Sequence, residues 1–510
     1  MKIFFSLVIS FLLSNICFSQ VVVYPLPAAN FGKVSDKYLV SVTQNGVTKQ
    51  SYVYKSTAGS GPSTEWGTEI NNNFHFTTFS FSGAVKISVT KLNSSATTAI
   101  VRPNRLAIGT KTTISQGANR TVSFSLSKPA KVSVEFSDDP KLTDAMMIFA
   151  DTLETPSNVP AISAANVLLV SDANSLTNIP SSKTIVYFQP GVYTIGLWNI
   201  PSFINQIYFA GGAYVKGYLN YTNYNNSNSI KINGRGILSN TGYGFHYPAS
   251  ATDSNPNDWY FTITLRGGGA NSMIEGITLI EASAYNIVTS ANNVLIKNVK
   301  VNGFRYNNDG LTITGSGYII LDCFLRINDD TIVPYASNIN VSNCVFWHLN
   351  TGSVFQLGWS PHSMSNINIA NCDVIHDQAS NSVGNVGFIN AMNLSTTTTS
   401  AAINNVKVSN IYFDTPILRF LDIRADRNNV NSATKQQIWV YRNFKFTNIH
   451  FNQGASNTYP FIYLHGYDSY HPMVNYTFQN LYLNNVKVTT AKMNDSAFFN
   501  KKGIFGVVVK

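Results

Sequence analysis

The sequence predicts an all-β protein, an N-terminal β-sandwich followed by a right-handed parallel β-helix. Three observations carry that expectation: a composition low in charge, strand-length alternation without long helical periodicity, and a corner that recurs at a single residue. Charged residues make up 12% of the 510-residue chain and aromatics 13%, which suits pleated, half-buried surfaces. A chain this long exceeds one compact core, so two domains, or one domain plus a repeat array, are expected.

The elements follow in order. Met1-Lys2, an apolar run over 3–13 and small residues near Ser19 read as an export signal over 1–19, with Gln20 as the first mature residue. Asn15-Ile16 before Cys17 makes a poor lipobox, so a periplasmic or extracellular protein without a lipid anchor is expected. No other run is long and apolar enough to span a membrane. Residues 20–170 contain alternating strands at 85–89, 122–126 and 132–136 separated by polar turns, which reads as a β-sandwich domain. Residues 156–180 form the connection. The β-helix then occupies 171–510, opened by 184–195 and an early coil at 207–215.

From about Ile274 onward apolar alternation breaks at one Gly, Asn or Asp and resumes in the opposite phase. The breaks fall at Gly276, Asn298, Asp322, Asn343, Asn371, Asn410, Asn448 and Asn480. A strand that keeps its apolar side inward through a sharp bend must lose one residue of phase, because side chains alternate faces. The bending residue must adopt the left-handed region, which Gly, Asn and Asp tolerate best. Successive corners lie 22, 24, 21, 28, 39, 38 and 32 residues apart. The short intervals fit single coils and the long ones coils with loops. A hairpin fold would need tight turns every 8 to 12 residues, and this stretch lacks them.

Cys323, Cys344 and Cys372 directly follow three consecutive corners. That places them as an inward ladder of apolar thiols rather than a disulfide framework, and their spacing is unlike a zinc site. No metal is expected. The formal charge of +10 comes from 35 basic and 25 acidic residues, and the basic ones form no run, which argues against nucleic acid and leaves an anionic glycan open.

Two segments on adjacent coils place carboxylates just before a strand: Asn307-Asn308-Asp309-Gly310 and Asn328-Asp329-Asp330-Thr331. Their register overlays Asp309 on Asp330. Like charges about 5 Å apart raise one pKa, and one protonated carboxyl beside one ionised carboxyl is what glycoside hydrolysis needs. On the next coil Gln356 offers an amide to sugar hydroxyls and Trp359 an aromatic face. Arg305, His376, His348 and His246 are further polar candidates, of which Arg305 and His376 join Gln356 and Trp359 as expected substrate contacts.

At these residues the chain resembles glycoside hydrolase family 49, the dextranase and isopullulanase family within the pectate-lyase-like β-helix superfamily. Asp309-Gly310, Asn328-Asp329-Asp330, Gly358-Trp359 and the following Val374-Ile375-His376 match its motifs at similar spacing. The resemblance covers nearly the whole mature chain. It implies a sandwich plus β-helix, inverting hydrolysis of a polysaccharide, and no cofactor; a monomer is expected. It also implies that Asp329 is the general acid, that Asp309 and Asp330 hold and activate water, and that Trp359 lines a subsite. Thr312 stands where the family carries Glu, and Val333-Pro334 replaces basic residues, so the subsites differ. The related polygalacturonases share the coil, but their Gly-His-Gly and Arg-Ile-Lys motifs are absent here. Three other functions fit the residues: hydrolysis of a sulfated galactan, a polysaccharide lyase using Arg305 or Arg326, and a non-catalytic glycan-binding β-helix.

Overall fold

A computed structural model describes residues 20–57, 73–111, 114–115, 117–223, 228–243, 261–305, 307–358, 362–379, 385–393, 400–428, 439–453, 461–467 and 470–510. Trp359 and His246 lie outside these. Among the described residues the N-terminal part forms two facing sheets of seven and four strands. The four-stranded sheet runs Val47–Ser51, Tyr38–Gln44, Val85–Lys91, Arg120–Leu126, each neighbour antiparallel. The seven-stranded sheet is antiparallel apart from Asp144–Thr152, which runs parallel to Asn73–Ser82. Alternate side chains of both sheets, among them Val42, Ile87, Val89, Val101, Val134 and Ile148, meet in one buried cluster. Period-2 alternation in the sequence is thus the imprint of this inner layer.

Among the described residues thirty further strands form one sheet, paired coil on coil in parallel along three faces, apart from Val486–Lys487, which pairs antiparallel with Met473–Leu483. This is a parallel β-helix. Its first rung is Val167–Leu169, which pairs in parallel with Ile185–Phe188 inside the stretch that the sequence marks as connection. Three residues are too few for alternation to show. All eight expected corners have left-handed backbone, with φ of 84° at Gly276, 56° at Asp322 and 54–58° at the six asparagines.

A second corner, which no change of phase marks in the sequence, precedes each of these by five residues. Asn271, Asn293, Gly317, Asn338, Asn366, Asn405, Asn443 and Asn475 all have positive φ. Each first-face strand is therefore a short rung clamped between two left-handed residues. The corner amides hydrogen-bond up the stack, from Asn410 Nδ2 to Asn371 Oδ1 at 2.9 Å and from Asn448 to Asn410 at 3.0 Å. Cys323, Cys344 and Cys372 are free, fully buried and successive in the interior row.

The outer face of the seven-stranded sheet packs on the second face of the helix. Phe74, Phe76, Met147 and Phe149 from the sandwich meet Tyr214, Phe324, Val345 and Trp347 from the coils in one apolar cluster. Polar bonds lace its margins, such as Lys300 Nζ to Asp151 Oδ2 at 2.7 Å, with both side chains fully buried. Among the described residues no helix is long and apolar enough to cross a membrane.

Candidate active site

The two acidic segments lie at the turn between the second and third faces, just before the third-face strands Leu311–Ile313 and Ile332–Pro334. Leu311 pairs with Ile332, so Asp309 stacks on Asp330 as the register implies. The asparagine before each acid anchors its turn. Asn308 Nδ2 donates to the carbonyls of Ala282 and Ala284 on the coil beneath, and Asn328 Nδ2 donates to Phe304 O at 2.9 Å. Asn286 holds the carbonyl of Asp309 from both its backbone and its side chain. Close backbone approach dictates two glycines. A Cβ on Gly310 would meet Thr331 O at 2.3 Å, and one on Gly352 would meet the Asp329–Asp330 peptide at 2.4–2.5 Å.

Asp309, Asp329 and Asp330 each place a carboxylate oxygen within 4.8 Å of the others. Among the described residues this is also the group compact enough to hold a metal ion. The three environments differ. Asp309 is nearly buried, and burial, with the charges of Asp329 and Asp330, pushes its carboxyl well above the usual range. Among the described residues its side-chain donor is Thr312 Oγ1, at 3.5 Å. Asp329 is the most accessible of the three. It accepts backbone N–H bonds from Asn307 at 3.0 Å and Asp330 at 2.9 Å, yet burial and the charge of Asp330 still push it up to about 7. Asp330 Oδ1 accepts from Ser353 N at 2.9 Å, Ser353 Oγ at 3.0 Å and Asn385 Nδ2 at 3.0 Å, donors that complement a negative charge. Three like groups this close titrate as a unit, and the unit retains a proton near neutrality.

Behind the trio His348 is fully buried. Its Nδ1 lies 2.8 Å from Asp377 Oδ1 and its Nε2 2.9 Å from Thr351 O. A carboxylate and a carbonyl both demand N–H, so the ring is held as imidazolium. Burial opposes that charge most strongly, but Asp377, the Thr351 carbonyl and Asp330 together outweigh it and His348 sits above its ordinary range.

Two expected substrate contacts lie elsewhere. His376 bonds Glu135 of the sandwich at 2.7 Å and its ring lies 4.5 Å from Trp347, in the seam rather than beside the acids. The cause is a bulge: Phe346 pairs with Val374, but Trp347 pairs with His376, and the extra residue reverses the phase. Gln356 is fully buried, with its amide committed to Asn385, Asn390 and Gly358 N. It supports the site from behind instead of meeting a sugar. Arg305, half-buried at the start of the Asp309 loop, donates to Tyr243 O at 3.4 Å. Arg326 faces the seam between the rings of Phe74 and Trp347, which removes it as a base beside the acids. Ser353 and Asn385 carry no motif that marks them in the sequence. Cavities of about 370 and 420 Å³ line the seam near Arg105, and neither includes an acid of the trio.

No family model matches the chain. It is 27% identical over 390 residues to isopullulanase of Aspergillus niger, which spans 71% of this chain and 68% of that protein. It is 25% identical over 259 residues to a dextranase of Arthrobacter sp. and 25% over 255 to one of Talaromyces minioluteus, covering 40% and 41% of their lengths. Among solved structures, Dex49A from Penicillium minioluteum aligns over 94% of both chains, with a TM-score of 0.71 at 19% identity. In sequence the chain is similar to isopullulanase and dextranase and in fold to Dex49A, and these likenesses mark it as a β-helical glycoside hydrolase that resembles family 49.

Proposed function

We propose that this protein is an exported, monomeric endo-hydrolase of a neutral α-glucan that acts with inversion. Asp329 is the general acid, and Asp309 and Asp330 hold and activate the attacking water. The reading is carried by the trio itself, three carboxyls within 4.8 Å of one another, of which the most accessible keeps its proton to about pH 7. Asp329 passes that proton to the glycosidic oxygen as the bond to the anomeric carbon breaks. Asp330 takes a proton from water as the water oxygen bonds to that carbon. Inverting pairs usually stand ~6.5–9.5 Å apart and nucleophilic pairs ~5–5.5 Å apart. In this reading the attacking water is held by two acids rather than displaced by one acting as nucleophile, and inversion rests on the likeness to family 49. The names of the relatives supply the α-glucan class, and Arg305 and Trp359 are assigned to sugar contacts. The test is digestion of dextran, pullulan and a sulfated galactan, with product anomers followed by proton NMR. New reducing ends of inverted configuration from dextran or pullulan are expected. First-formed products of retained configuration, or unsaturated uronate products, would overturn the mechanism.

A further inference from the structure

Asp330 is the acid of the trio whose surroundings are most fully built. One of its oxygens, Oδ1, accepts three hydrogen bonds, two from Ser353 on the next coil and one from Asn385, 55 residues along the chain. Asn385 is itself held, since Gln356 Nε2 donates to its Oδ1 at 2.7 Å. Gln356 is fixed in turn: Gly358 N donates to its Oε1 at 2.9 Å, and its Nε2 also reaches Asn390 Oδ1 at 3.2 Å. An amide that accepts at its oxygen must present its NH₂ on the other side. The Gln356 bond therefore fixes which end of Asn385 faces Asp330, and each bond in such a chain polarises the next. Among the described residues Asp309 has no comparable set of donors, its side-chain donor there being Thr312 Oγ1 at 3.5 Å.

We propose that Asn385, oriented by Gln356, is a positioning residue that keeps Asp330 ionised and fixes its carboxylate plane, so that Asp330 is the member of the trio that deprotonates water. This deepens the hydrolase reading and rests on it. The relay divides labour among three like groups: the acid with three donors stays charged, and its charge keeps the proton on its neighbours. The amide works through Asp330 and needs no contact with the sugar.

The experiment compares the full-length protein with Asn385→Ala and Gln356→Leu. Loss of the Asn385 donor should raise the Asp330 titration and so move the acid limb of kcat/KM on dextran upward by about one pH unit. The alkaline limb should stay in place, kcat at neutral pH should fall about tenfold, and KM should stay within twofold. Gln356→Leu should move the same limb in the same direction by less. Asp309, Asp329, His348 and Asp377 also face this site, so the limb is assigned by carboxyl-carbon NMR titration of labelled aspartate, with Asp330→Asn identifying the signal. That titration needs no substrate, and it separates this inference from the hydrolase reading. An unmoved Asp330 titration in Asn385→Ala overturns the relay even if the enzyme cuts dextran. A raised titration upholds it even if dextran is the wrong glycan. A uniform loss of rate with both limbs in place would show a merely structural role.

Discussion

Asp329 keeps its proton to about pH 7 because it is buried beside the charge of Asp330. Asp329→Asn removes that proton without changing side-chain volume, and turnover on the cleaved glucan should fall by about 10²- to 10⁴-fold. The substitution also has a signed effect on stability. A carboxyl whose folded pKa lies above its unfolded value contributes stability that is fully present below about pH 4 and is lost as the pH rises through about 7. Asp329→Asn should therefore melt higher than the wild type at pH 8, by a few degrees, and close to it at pH 4. A lower melting point at pH 8 would mean that the carboxylate is stabilised, not strained. The acids were legible because Asp-Gly and Asn-Asp-Asp stand in register at the start of successive strands. Ser353 and Asn385 were not, since they reach Asp330 from 23 and 55 residues away with no local pattern to mark them. His376 lies in the seam because one bulged residue, invisible in the sequence, turns it toward the sandwich.

At the scale of elements the chain is a stack of rungs between left-handed corners, and only one corner of each pair could be read. The phase change at Asn343 is visible because strands long enough to alternate flank it. The preceding corner at Asn338 sits within Ala336-Ser337-Asn338, which looks like any polar turn, and the rung between them, Ile339–Ser342, has four residues. Asn343 has φ 54°, and a branched residue there is forced into a region it resists. Asn343→Val should cost about 1–2 kcal/mol, seen as a lower denaturation midpoint, whereas Asn343→Gly should cost much less. Equal midpoints for the two variants would remove backbone conformation as the reason for asparagine. The sandwich strands at 85–89, 122–126 and 132–136 were legible for the opposite reason: each alternates for five residues or more, with one face in a shared core.

Across the whole molecule the sandwich and the coils share one seam, apolar at its centre and ionic at its edges. Lys300 and Asp151 are both fully enclosed there, and burial lowers Lys300 to about 8 despite its partner. Removing one member of such a pair strands the other charge. Asp151→Asn should cost about 3–5 kcal/mol, far more than Lys55→Met at the exposed Lys55–Asp36 pair, where about 0–1 kcal/mol is expected. Similar melting points for the two variants would count against a tightly closed seam. The net charge of +10 is spread over the chain, and exposed charges are screened beyond about 8 Å at physiological salt. Cleavage of dextran should therefore change little between low and high sodium chloride, whereas a steep fall in kcat/KM on a sulfated galactan would mark an anionic substrate. The asparagine rows run along the stack and bear on how the protein ages. Deamidation begins when the next residue's backbone nitrogen attacks the side-chain carbonyl. At Asn371, Asn410 and Asn448 that carbonyl accepts a bond from the amide of the following coil, and Cys372, Ile411 and Ile449 crowd the attacking nitrogen. After long incubation at mildly alkaline pH, mass spectrometry should find the newly formed aspartates in the loops, with the corner rows unaltered.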